Sequence, residues 1–174
     1  MDKQRTAVTY DGEQFQVVYV NETFEVQGVH IEQENNEYWI PADGSVADHS
    51  TWIIPMDNLD GNLNRLYAEF RRLCHYLTPE QIRSQRQELH LTLRETAAIL
   101  GMSYSTLSDI ENALVLQNQL QETSLECLQD QAMREHLVRN RYYQLQSSLG
   151  QDGAERVLKK LGMPVPDGDT PEEA

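Results

Sequence analysis

The chain has 174 residues, 39% of them hydrophobic, with a mean hydropathy of −0.62 and a formal net charge of −14. Its longest apolar runs are a few residues, which excludes a helical membrane span of about 20, and its acidity excludes a generally basic, nucleic-acid-coating surface. The charge is uneven: residues 1–60 net −10, residues 61–90 net +2, and the remainder −6. Arg65, Arg71, Arg72, Arg83 and Arg86 form the one basic concentration. No apolar segment follows Met1–Arg5, so no secretory signal is expected. Cys74 and Cys127 stand outside any metal-ligand spacing and read as free thiols of a reducing cytoplasm.

Residues 1–57 predict a small antiparallel β-meander. Asp11-Gly12 is a hairpin turn signal, Asn35-Asn36 tolerates the positive φ of a second turn, and Asn21-Glu22 is a weaker third. Phe15, Val17 and Tyr19 alternate onto one face. Gly28 resets the alternation between Phe24/Val26 and Val29/Ile31, which suggests a bulge. Residues 51–55 are placed to close the sheet. A sheet this small needs a helix against it.

Residues 58–76 supply that helix. Leu59, Leu63, Leu66, Phe70, Leu73 and Leu77 recur at alternating spacings of four and three, one helical stripe. Packing on the sheet is preferred to a coiled-coil seam, because fewer than three heptads are present and Gly61 weakens the start.

Residues 77–162 predict an all-α domain. Thr78, with Pro79 behind it and Gln81 three residues on, writes a capping box, and Thr92 with Glu95 writes another. The helix after Thr92 turns Leu93, Ala97 and Leu100 to one side and stops at Gly101, suited to a left-handed cap. Ser103 caps a third helix with Leu107 and Ile110 inward. The tight Gly101-Met102-Ser103 turn between short helices is the pattern of a helix-turn-helix. The third helix would present Tyr104, Ser105, Thr106, Ser108 and Asp109 outward. Further helices are expected around Leu125/Leu128, over Val138–Leu149, and over Ala154–Leu161. Residues 163–174, Pro- and acid-rich, read as a disordered tail. The fold class is therefore α+β.

The segment 77–113 resembles the Cro/CI (XRE) helix-turn-helix. Ala97, Leu100, Gly101, Ser103, Ser105, Thr106, Leu107, Ser108, Ile110 and Glu111 match its pattern. The small β domain, N-L-N-R-L-Y-A-E-F-R-R (62–72) and L-T-P-E-Q-I-R (77–83) are loosely similar to the MqsA/YgiT-type antitoxins, which join a zinc-binding, toxin-contacting domain to a helix-turn-helix. Their zinc cysteines have no counterpart here, Leu93 stands where a phosphate-contacting Gln is usual, and Asp109 stands where a basic or neutral residue is common. The resemblance implies a cytoplasmic, homodimeric, DNA-binding regulator, antitoxin-like and self-repressing; the residues themselves offer no zinc site, cofactor motif or catalytic constellation, so no cofactor, metal or catalysis is expected. Arg83, Arg86 and Arg94 would neutralise phosphates of the operator. Tyr104, Ser105, Thr106, Ser108 and, toward cytosine, Asp109 would reach base edges. The apolar stripes after residue 120 and the Leu59–Leu77 stripe are the expected dimer interfaces. The competing reading is a protein-binding inhibitor or antitoxin module whose acidic front takes a basic partner such as a toxin. The scattered histidines and the carboxylates of residues 1–60 form no metal or catalytic motif.

Overall fold

A computed structural model describes residues 5–166, and the chain divides into two compact units between Tyr76 and Leu77. Residues 167–174, part of the expected tail, lie outside the described residues.

The first unit is a three-stranded antiparallel meander, β1 (Ala7–Tyr10), β2 (Glu13–Val26) and β3 (Val29–Pro41), in the order β1-β2-β3. A two-residue turn joins β1 to β2 at Asp11 and Gly12, both at positive φ as a twist-matched hairpin demands. The second turn is not at Asn35-Asn36. It falls at Gln27-Gly28, with φ of +48° and +82°, which brings Phe24 opposite Ile31 and Val26 opposite Val29. Gly28 is thus a turn residue rather than a bulge. The irregularity lies instead between Val20 and Glu22, facing Glu34 and Asn35. Asn21, expected to turn, stays in β2, and its Oδ1 accepts the Asn35 N–H at 3.0 Å. Asn residues at these positions tolerate positive φ within a bulged ladder as readily as in a turn. Ile53 pairs with Trp39 through a single bridge.

Phe15, Val17 and the fully buried Trp39 form the core of this sheet. The helix α1 (Gly61–Cys74) packs on β3, where Asn62 clamps the Glu37 backbone by accepting its N–H and donating to its C=O. Of the leucine stripe, Leu66 and Phe70 are buried within α1 and Leu77 in the core of the second unit, while Leu59, Leu63 and Leu73 stay exposed. His75, at φ +58°, ends α1 in the left-handed region.

The second unit begins with the three helices α2 (Pro79–Glu88), α3 (Leu93–Leu100) and α4 (Tyr104–Glu111), followed by α5 (Gln119–Cys127), α6 (Gln131–Asn140), α7 (Tyr142–Leu149) and α8 (Gln151–Lys160). The single long helix expected over 138–149 is two, broken at Arg141. One core spans the unit from Leu77 and Ile82, through Ile99, Leu107 and Ile110, to Val157, Leu158 and Met163. Gly153 lets α8 lie close to α7, since a Cβ there would meet the Leu149 Cβ at 2.7 Å. No helix among the described residues is long and apolar enough to cross a membrane.

Candidate nucleic-acid interface

Each helix of the 78–111 segment starts where its own hydroxyl dictates. Thr78 and Thr92 form complete capping boxes with Gln81 and Glu95, and Ser103 accepts the Thr106 N–H at 3.0 Å. Gly101 takes φ +71° and closes α3, so the turn into α4 is as tight as its sequence predicts. The expected inward residues of α4, Leu107 and Ile110, are fully buried.

The helix α3 is the hub of the unit. It packs against α4, α5, α6 and α7, and every residue from Glu95 to Leu100 except Ala98 is buried. Only its first turn faces outward, at Thr92 and Arg94. Beside it stands the N-terminus of α4. The Arg94 guanidinium lies 5.8 Å from the Tyr104 ring centroid, a cation–π distance, and Tyr104 is half exposed. Ser105 is exposed, whereas Thr106, Ser108 and Asp109 are partly covered. The Ser105 and Thr106 hydroxyls also share hydrogen bonds with the Ser103 Oγ, at 2.9 and 2.7 Å, which sets their orientation at the helix tip.

The three arginines expected to meet phosphate separate by environment. Arg86 turns inward: its Nε and Nη2 hold the two oxygens of Glu111 at 2.7 and 2.8 Å, and its Nη1 donates to the Leu91 carbonyl at 3.1 Å. Glu111 is buried, its side chain 2% exposed, so this bidentate pair ties α2 to the end of α4. Arg83 is intermediate. It donates to the Glu111 carbonyl and the Asn112 Oδ1, with its side chain still 42% exposed. Arg94 remains exposed and, among the described residues, is not ion-paired.

Four side chains that brace these helices have no signal in the segment itself. Lys160 on α8 pairs with Glu95 at 2.7 Å. Burial alone would raise the Glu95 carboxyl, but Lys160 and the Thr92 hydrogen bonds hold it below the ordinary carboxylate range. Arg141 donates from Nη1 to the Ile99 carbonyl at 2.9 Å, setting a cation at the negative end of α3. Glu122 accepts the Leu77 N–H while Gln117 bridges Glu122 and the Leu77 carbonyl, fixing the entry to α2. Glu111 was legible as a motif match, but its role as the anchor of Arg83 and Arg86 was not.

Among the described residues, no His, Cys, Asp and Glu side chains group so as to hold a metal ion. Both cysteines are free thiols.

Residues 82–119 match the helix-turn-helix family model, HTH_3. The match covers α2 from Ile82 through α4 to the start of α5, and it identifies the segment as a helix-turn-helix of the Cro/CI (XRE) type, a class of DNA-binding regulators rather than enzymes. No curated protein matches the chain.

Proposed function

We propose, from the Cro/CI-type helix-turn-helix within residues 82–119, that this protein is an operator-binding repressor acting as a homodimer, with the antitoxin-like habit of controlling its own promoter. The observation that carries the reading is the paired exposure of Arg94 and Tyr104 at the adjoining N-termini of α3 and α4, the end of a recognition helix that enters the major groove. Arg94 takes a phosphate. Arg83 assists, and Arg86, committed to Glu111, orients the helices instead. Tyr104, Ser105, Ser108 and Asp109 face the bases, with Thr106 set by its bond to Ser103.

Dimerisation is supported by Leu114 and Leu120, 57% and 80% exposed on the helix-turn-helix unit. Two half-sites about 34 Å apart compensate for the weak grip of one short helix. Fluorescence anisotropy with a duplex from the protein's own promoter, at two salt concentrations, tests the proposal. Binding should be strongly salt-dependent. Arg94→Ala should weaken promoter and random duplexes alike, and Tyr104→Ala should reduce discrimination between them. Absence of binding at low salt would overturn the reading.

A second reading is favoured by the first unit, where Ile54, Met56, Leu59 and Leu63 are exposed in a segment whose charge is acidic. Exposed apolar side chains in an acidic segment suit a basic protein partner, such as a toxin. Co-purification with such a partner, without DNA affinity, would favour it.

A further inference from the structure

Beyond the helix-turn-helix segment, α8 brings basic side chains to the first turn of α3. Thr92 at the cap of α3, Arg94 and Glu95 in its first turn, Ser148 of α7, and Arg156 and Lys160 of α8 line one cleft of about 390 Å³. Lys160 neutralises Glu95 within it. Arg94 and Arg156 are exposed, and neither is ion-paired among the described residues. The cleft therefore gathers three cations against one carboxylate in a chain whose net charge is −14. Like charges drawn into one concavity repel unless an anion joins them, and concave low-dielectric walls focus their field on that anion.

We propose that this cleft is a second phosphodiester site, in which Arg156 extends the DNA footprint from the helix-turn-helix onto α8. The proposal rests on the DNA-binding reading and deepens it. Its geometry makes the cleft continuous with the recognition surface, because the same Arg94 that lines it also lies over the Tyr104 ring. A strand whose bases meet α4 thus carries a neighbouring phosphate to Arg94, and the phosphate beyond meets Arg156. The guanidinium fork of Arg suits phosphate oxygens in bidentate fashion. Ser148 can add a hydroxyl donor at the rim. The contact positions the protein and reads no sequence.

The test uses the full chain, with the promoter duplex and a random-sequence duplex of equal length, in anisotropy titrations over a salt series. Arg156→Ala should weaken both duplexes by the same factor and flatten the log–log salt slope by about 1 per subunit. Arg156→Glu should weaken binding further, and Arg156→Lys should keep most of the slope. Arg139→Ala is the charge-matched control, since Arg139 is exposed on α6 and pairs with Glu135. It should leave the slope unchanged. If Arg94→Ala weakens binding while Arg156→Ala and Arg156→Glu do not, the inference falls and the DNA-binding reading stands. If Arg139→Ala flattens the slope as much as Arg156→Ala, the effect is general charge and the inference also falls. If no duplex binds at low salt, both fall together.

Discussion

Lys160 holds both oxygens of Glu95, at 2.7 and 2.9 Å, although 65 residues separate them in the chain. Glu95 is also the last member of the Thr92 capping box, accepting the Thr92 N–H at 2.7 Å. One carboxylate thereby starts α3 and fastens α8 to it. The consequence is electrostatic: the acid in the first turn of α3 is already neutralised within the unit.

Removing Lys160 should expose that dependence. Lys160→Met leaves Glu95, 8% exposed at its side chain, as an uncompensated charge, and should cost about 2 kcal/mol at neutral pH. The deficit should itself depend on pH. In the native protein the Glu95 carboxyl lies below its ordinary 4.5, so its contribution is full above that value and is lost as pH falls through the lowered one. Without Lys160 its share of that lowering is lost while burial and the Thr92 hydrogen bonds remain, so the variant loses less stability than the native protein as Glu95 protonates. Urea denaturation from pH 7 to pH 3 should show the two curves converging toward acid. Parallel curves would contradict the account.

The two classes of arginine should separate by measurement. Arg86→Met leaves the buried Glu111 carboxylate with only the longer Arg83 contact at 3.6 Å and should cost about 3 kcal/mol in denaturant unfolding. Arg94→Ala removes an exposed group and should change stability by about 0.5 kcal/mol or less, while weakening DNA binding. An Arg94 variant as unstable as the Arg86 variant would show that Arg94 is structural.

Gly101 and Arg141 should be energetically coupled. Gly101→Ala imposes the left-handed penalty of about 1–2 kcal/mol. Its Cβ would also fall 2.5 Å from the Arg141 Nη1, displacing the donor to the Ile99 carbonyl. Arg141→Ala removes that donor alone. The double variant should therefore lose less than the sum of the singles, by about 1 kcal/mol. Strict additivity in a thermal or urea cycle would rule out the contact.

What the chain wrote locally, it wrote legibly. Thr78, Thr92 and Ser103 mark three helix starts, Gly101 marks one stop, and Asp11-Gly12 marks one hairpin, because caps and tight turns are settled by groups within about four residues of one another. The α+β order and the helix-turn-helix followed from these signals and from hydrophobic period. Only tertiary structure decided the rest. Asn35-Asn36 and Gln27-Gly28 can both accept positive φ, and strand register, with Phe24 brought opposite Ile31, chose the second. Arg86 and Arg94 are the same residue type on neighbouring helices, yet one meets the buried Glu111 and the other meets solvent. Arg141 and Lys160 reach α3 from far along the chain. Partners at that separation are set by how packed helices approach, and helical spacing within one segment carries no record of it.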